Sequence, residues 1–203
     1  IWGKNSNNPL VIVTNYTNSL YENGTSVAAT LELARSIGEK SKQEMSSRTI
    51  VFLFTDGTME DGNGIYNALG YKNIDINSFY IYLSYLGLDD SDVLYMDTST
   101  VSSAYRRHYK NIRNIKDTAK ELKVPIKQDY FDFMFKDVEV LSENKVSGLA
   151  ISGIDKDDFN VYHGRGQDDI NKIDPKKLEN QIQLMMNFTL KYAWTDKYWL
   201  GDS

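Results

Sequence analysis

The chain has 203 residues, of which 41% are hydrophobic and 12% aromatic, and its formal net charge at pH 7 is -5. This length and apolar content predict one compact domain with a substantial core, and the scattered acidic residues exclude the concentrated basic surface that nucleic-acid binding requires. The sequence contains no cysteine, which excludes disulfides and thiolate metal sites.

No apolar run reaches the length of about 18 residues needed to cross a membrane, so no transmembrane segment is predicted within this chain. The chain begins with Ile1 rather than methionine. We therefore expect it to be a processed or excised piece of a larger protein, in which a signal peptide or anchor would not be visible here.

Two apolar runs and one helical pattern lie near the start of the chain. Leu10–Thr14 is a short, continuous β-branched run, which is typical of a buried strand. Thr25 or Ser26 is expected to cap a helix that continues to about Ser41. Its buried face is predicted from apolar residues at helical spacing: Val27, Leu31, Ala34 and Ile37. Arg48–Thr55 is a second run of central-strand type.

The middle of the chain continues the alternation. Gly64–Leu69 is expected to form a short helix, and Ser78–Leu86 is strongly β-prone. Val93–Met96 is predicted either to extend that strand or to pair with it. Ser102–Lys123 has the pattern of a long amphipathic helix with an apolar stripe made of Tyr105, Tyr109, Ile112, Ile115 and Ala119.

The last third predicts one strand, Val146–Ser152, and one long helix, Lys176–Trp194. Asp174 and Pro175 precede this helix, where Asp is a favoured cap and Pro fits the first turn. Strands that alternate with helices imply a mainly parallel sheet covered on both faces. The fold class predicted for residues 1–203 is therefore α/β, as a single three-layer α/β/α sandwich.

Three segments show a more specific pattern. Asn15-Tyr16-Thr17 follows the first strand, and the small-residue helix start Asn23-Gly24-Thr25-Ser26-Val27 comes next. Near the end of the chain, Tyr162-His163 precedes Ile173-Asp174-Pro175. This order resembles the co-catalytic zinc aminopeptidases (metallopeptidase family 28), over nearly all of Leu10–Ala193 and most weakly between Leu88 and Val146. The resemblance implies a zinc-exopeptidase-like sandwich with a mainly parallel, mixed sheet.

The resemblance also locates the metal site of the family in this chain. In that family, His, Asp and Glu side chains hold two zinc ions, which acidify a bound water, and a Glu acts as the general base. The corresponding positions here hold Asn15, Thr17, Tyr21, Thr58, Met59, Ser84 and His163. Only His163 keeps the residue type of the family. We therefore expect these positions to be vestigial, with no catalytic residue, no bound metal and no cofactor.

An active enzyme remains an alternative. Glu22 lies beside the bridging position, and a shift of the alignment by one or two residues would bring in Glu60 and Asp61. Together with His163 these acids would form a rearranged zinc site for an aminopeptidase or related hydrolase. Hydrolysis without a metal is a weaker hypothesis, because no nucleophile and base can be paired in the sequence.

The functional expectation is a catalytically inactive aminopeptidase-like domain that serves as a binding or structural module. Some relatives of the family that lack a complete metal set use the old substrate cleft as a recognition surface, so the resemblance implies a protein or peptide partner there. It also implies an extracellular or membrane-anchored extracytoplasmic location, and the Asn-, Lys-, Ile- and Tyr-rich composition indicates a bacterial source. The aromatic residues near the C-terminus are expected to seal the final helix against the sheet or to form a docking face: Tyr192, Trp194, Tyr198 and Trp199.

Overall fold

The structure, a computed structural model, describes residues 1–16, 20–56, 62–69, 74, 77–98, 107–129, 135–155, 157–159 and 169–195, without the side chains of Tyr21, Arg107 and His108. Six strands form one sheet in the order β2-β1-β3-β6-β4-β5. Their bounds are β1 Asn5–Asn15, β2 Arg48–Thr55, β3 Phe79–Ser84, β4 Leu94–Asp97, β5 Ile126–Asp129 and β6 Ser147–Ser152. Four strands are mutually parallel, whereas β4 and β5 run antiparallel to β6. The predicted mixed, mainly parallel sheet is confirmed.

Helices cover both faces of the sheet. The described helices are α1 Thr25–Gln43, α2 Asn63–Ala68, α3 Arg107–Leu122, α4 Lys136–Glu143 and α5 Pro175–Trp194. One apolar cluster combines residues of α1, α3 and α5 with one face of the sheet. A second cluster combines residues of α2 and α4 with the other face. These two cores give the α/β/α layering that the alternating pattern predicted.

The topology brings several strand ends together. Because β1, β2, β3 and β6 are parallel, their carboxyl ends lie along one end of the sheet. Asn15 is in register with Thr55, and Ser84 is in register with Ser152. In open α/β sheets ligands bind just beyond these carboxyl ends, so this is where a functional site is expected.

Helix α1 is placed as predicted, but its cap is not, and of the predicted buried face only Ile37 is fully buried. Gly24 occupies the N-cap without a side-chain hydrogen bond, and Thr25 and Ser26 already belong to the helix. Leu31, expected in the core, is 55% exposed, whereas Leu33 is fully buried. Successive residues are rotated by about 100° around the helix axis. Residues one or two positions away from the predicted ones therefore lie on a different face of the helix. Packing against the sheet selects the side that also carries Ser26, Ala29 and Thr30.

The C-terminal helix agrees more closely with the sequence. The Asp174 carboxylate accepts hydrogen bonds from the backbone N–H groups of Lys176 and Lys177, as expected for a cap. Tyr192 is buried, and its ring stacks on Phe79 of β3 at 6.2 Å between centroids, which confirms that it seals the helix against the sheet. Tyr105, Tyr198 and Trp199 lie outside the described residues. No helix in the described part of the chain is both long and apolar enough to cross a membrane.

Candidate functional site

Three buried polar side chains meet where β1 and β2 end, and we call them the carboxyl-end cluster: Asn15, Thr55 and Asp137. The Thr55 hydroxyl donates a hydrogen bond to Asp137 Oδ2 at 2.6 Å. The Asn15 amide Nδ2 donates to the same carboxylate oxygen at 3.3 Å and to Thr55 Oγ1 at 3.3 Å. A buried carboxylate is tolerated only when polar partners replace its hydration, so the two strand ends supply the donors that keep Asp137 inside the protein.

Asp137 is the member of the cluster that the sequence did not indicate. It lies in the first turn of α4, whose N-terminus is at Lys136, and a negative charge is favourable at this end of a helix. Helix α4 falls within the stretch where the resemblance to the zinc aminopeptidases is weakest. No spacing or motif around Lys136-Asp137-Val138 distinguishes this acid from those on the surface.

Ser84, at the end of β3, makes a separate connection. Its hydroxyl donates to the backbone carbonyl of Glu22 at 2.9 Å, and the Tyr85 N–H donates to the same oxygen at 2.8 Å. Glu22 is buried in a π-helical turn, Leu20–Gly24, which leads into α1. Tyr85 has φ of 53°, a left-handed conformation that is costly for a bulky residue. The shared carbonyl thus fixes an unfavourable turn directly after the strand.

An aromatic cluster packs beside these strand ends. Tyr82 and Phe135 have ring centroids 5.0 Å apart, and Phe159 packs edge-on against both Tyr85 at 6.3 Å and Phe135 at 5.8 Å. Tyr82 is fully buried, and burial, followed by the negative charges of Asp137 and Glu22, holds the pKa of its phenol well above the ordinary value. This side of the carboxyl end is therefore apolar and closely filled.

The predicted site residues divide into two groups. Asn15 and Ser84 are described and lie at neighbouring strand ends, and Glu22 of the alternative site is described as well. Tyr21 belongs to the π-helical turn, but its side chain lies outside the described residues. The remaining predicted positions also lie outside the described residues: Thr17, Thr58, Met59, Glu60, Asp61 and His163.

The described donors do not fit a pair of zinc ions. Asn15 turns its amide N–H groups, rather than a lone pair, toward Asp137, and the Ser84 hydroxyl is committed to a backbone carbonyl. Neither side chain carries a charge to offset that of a divalent ion, and zinc prefers imidazole, thiolate or carboxylate ligands. Across the described ranges, no three His, Asp or Glu side chains are grouped so that they could share a metal ion.

Comparison with solved structures shows that the fold is similar to those of aminopeptidases and of a gamma-secretase component. BSAP, a zinc aminopeptidase from Bacillus subtilis, matches 97% of this chain with a TM-score of 0.77 and 15% identity. LapA from Legionella pneumophila matches 92% with a TM-score of 0.74 and 14% identity. Nicastrin, a component of gamma-secretase, matches 98% with a TM-score of 0.68 and 15% identity. At such identities the likeness shows the fold alone.

This chain spans about half the length of these proteins, covering 49% of BSAP, 53% of LapA and 43% of nicastrin. Among curated protein sequences, none matches it significantly. The sequence model of peptidase family M28 matches residues 15–189, a range that begins at Asn15 of the carboxyl-end cluster and includes both Ser84 and Asp137. From this match and the shared fold we conclude that the chain belongs to peptidase family M28.

Proposed function

We propose that this chain is a catalytically inactive member of peptidase family M28 that serves as a binding or structural module. The observation that carries the proposal is the hydrogen bonding of Asn15 and Ser84. These two described ligand positions hold neutral side chains, and both are occupied by partners within the fold. A working zinc peptidase instead needs lone pairs directed at the metal and, beside them, a general base.

The similar structures are compatible with this proposal because the fold itself does not determine the activity. Zinc aminopeptidases and a component of gamma-secretase both share the fold of this chain at about the same identity. Whether the chain is active therefore depends on the side chains at the strand ends. Those that the structure describes favour binding without catalysis.

As part of the same proposal, the old substrate cleft at the carboxyl end of the sheet receives a protein or peptide partner. The side of the carboxyl end that the structure describes is aromatic, with Phe159, itself only partly buried, packed over the buried Tyr85 and Phe135. Aromatic side chains are enriched where proteins recognise each other, because they bury a large area with few rotatable bonds. The module is proposed to belong to a larger extracellular or membrane-anchored extracytoplasmic protein.

Metal content tests the proposal directly. The protein is purified without chelator, its zinc is measured by inductively coupled plasma mass spectrometry, and hydrolysis of leucine p-nitroanilide is followed with and without added zinc. We expect far less than one zinc ion per chain, no hydrolysis, and the same melting temperature in EDTA and in zinc. A zinc aminopeptidase assayed in parallel shows that the substrate and the buffer permit turnover.

Close to two zinc ions per chain together with hydrolysis would overturn the proposal in favour of the rearranged site. In that case His163→Ala and Glu60→Gln should each abolish hydrolysis, because that site depends on both side chains. Lys42→Ala is a suitable control, since Lys42 is an exposed residue of α1 that forms an ion pair with Glu39, and its loss should not affect zinc binding.

A further inference from the structure

A small cavity lies between the end of α3, the start of β4 and helix α5. Its volume is about 50 Å³, which is space for about two water molecules or for one small tetrahedral oxyanion. The buried side chains of Leu94 and Val124 form its inner wall. The Leu94 N–H donates to the Pro125 carbonyl at 3.0 Å, so β4 and the segment after α3 are held together there. The described lining shares no residue with the carboxyl-end cluster.

Nitrogen-bearing side chains from two elements line this cavity. Helix α5 contributes Lys177, Asn180 and Gln181, which are three and four positions apart and therefore lie on one side of the helix. Lys123, the residue that follows α3, contributes a further ammonium group. Ammonium and amide N–H groups are hydrogen-bond donors, so the lining suits a ligand that carries acceptors and negative charge.

Gln181 is the most informative member of the lining, because its side chain is buried, with only 5% of the residue exposed. Its Oε1 accepts a hydrogen bond from the Gly87 N–H at 2.8 Å, and Gly87 does not line the cavity. Oxygen and nitrogen lie on opposite sides of the planar amide, so Nε2 is directed away from Gly87. Within the described part of the chain, Nε2 has no acceptor. Folded proteins rarely leave a buried donor unused, so an acceptor is expected in the cavity.

The two lysines give the lining a net positive charge. The Lys123 ammonium forms no hydrogen bond or ion pair with any described residue, so it can turn toward a ligand. Lys177 Nζ donates to the Asp89 carbonyl at 2.8 Å and lies 3.4 Å from Asp92 Oδ1. Among the described lining residues only Asp92 is acidic, and its side chain is 96% exposed. Such exposed pairs contribute little to stability, so an incoming anion can replace Asp92 beside Lys177.

We propose that this cavity binds a small tetrahedral oxyanion, the chemistry that free phosphate and the phosphate group of a larger molecule share. Lys123 and Lys177 offset the negative charge of the anion, and Gln181 Nε2 donates to one of its oxygen atoms. A phosphate group has more charge and more acceptor oxygens than a carboxylate, which matches several donors from two elements. This site is independent of the proposed function, because none of these residues occupies a metal-ligand position of the family.

Isothermal titration calorimetry with inorganic phosphate tests the site in the whole chain. The titration is run near neutral pH and at low ionic strength, with chloride at matched ionic strength as the blank. We expect one saturable site per chain with a Kd of about 1 mM or lower. Glycerol phosphate then distinguishes the source of the anion. Weaker binding than that of free phosphate supports a site for the free ion, whereas equal or tighter binding supports a site for the phosphate group of a larger molecule.

Lys123→Gly removes one ammonium group from the site without straining the fold. Lys123 has φ of 57°, a conformation that glycine adopts more readily than lysine. The variant should therefore fold, and its phosphate binding should be weaker by at least about tenfold. Lys145→Gly is the matched control, because Lys145 has φ of 61° just after α4, the helix that packs on the other face of the sheet. Its loss should leave phosphate binding unchanged.

Gln181→Glu provides a second measurement. It keeps an oxygen for the Gly87 N–H but replaces the Nε2 donor with a negatively charged acceptor, so phosphate binding should no longer be detected. Thermal melts show whether this variant folds, and where it does not, Lys123→Gly decides alone. The absence of saturable binding at phosphate concentrations about ten times the expected Kd would overturn the proposal. Binding that Lys123→Gly leaves unchanged, or that Lys145→Gly weakens to the same extent, would overturn it as well.

Discussion

Thr55→Val tests whether the carboxyl-end cluster stabilises the fold. Valine has nearly the volume of threonine but cannot donate the 2.6 Å hydrogen bond to Asp137 Oδ2. A hydrogen bond to a charged group contributes about 1.5–3 kcal/mol to the free energy of unfolding, and its loss leaves a buried oxygen short of a partner. The weaker 3.3 Å bond from Asn15 to Thr55 Oγ1 is lost as well. We therefore expect a loss of about 2–3 kcal/mol.

The assay is urea denaturation followed by circular dichroism, with equal m-values required so that the change in midpoint reports stability. Thr55→Ser is the matched control, because it keeps the hydroxyl and should cost only the burial of one methyl group, about 0.8 kcal/mol. If Thr55→Val stayed within about 0.5 kcal/mol of the wild type, as substitutions at uninvolved surface sites do, Asp137 would not depend on Thr55 and our account of the cluster would fail.

Three further outcomes are expected. Tyr82→Phe should leave stability unchanged or raised by up to about 1 kcal/mol at pH 7, because the buried Tyr82 hydroxyl has no hydrogen-bond partner in the described part of the chain. Since the folded protein raises the Tyr82 pKa, wild-type stability should decline as the pH rises above about 10, where the unfolded phenol ionises. Urea melts at pH 7 and at about pH 10.5, roughly half a unit above the pKa of the unfolded phenol, should therefore show a smaller loss of stability for Tyr82→Phe than for the wild type. Asp174→Ala should lower stability by about 1 kcal/mol through loss of the α5 cap, whereas the neighbouring exposed Lys176→Ala should not; equal losses would contradict the capping role. Gly148→Ala should prevent stable folding, because a Cβ there would lie 2.3 Å from the Tyr80 carbonyl oxygen; a soluble variant with a native melting temperature would show that β3 and β6 are less closely apposed.

The elements that the sequence predicted correctly have strong local signals. Arg48–Thr55 is an uninterrupted β-prone run, and its bounds match β2. Asp174-Pro175 combines a favoured cap with a residue suited to the first turn, and α5 begins there. In both cases the chain specifies its conformation within a few residues, so no knowledge of distant contacts is needed.

The elements that were missed have no such signal. Ile126–Asp129 became β5 although it is mostly polar, because at the periphery of a sheet pairing on one side is sufficient. Lys136–Glu143 is short, and the alternation of Val138, Val140 and Leu141 with polar residues is as typical of a strand as of a helix. Tertiary packing decides both. For this reason Asp137 and its bond to the strand ends were beyond prediction, whereas the family pattern indicated Asn15 and Ser84, which lie at the ends of β1 and β3.

The sheet order also determines when the protein can fold during its synthesis. β6 lies between β3 and β4, so β3 pairs with residues about 68 positions later in the chain, as in the register of Phe79 with Ser147. A nascent chain that has reached β5 therefore has β3, a central and fully buried strand, without a neighbour on one side until β6 leaves the ribosome. Strand pairings between residues this distant in sequence form slowly, and a buried strand that has not yet paired is prone to aggregation. Chaperone capacity during translation, rather than the stability of the finished domain, should accordingly limit the yield of soluble protein.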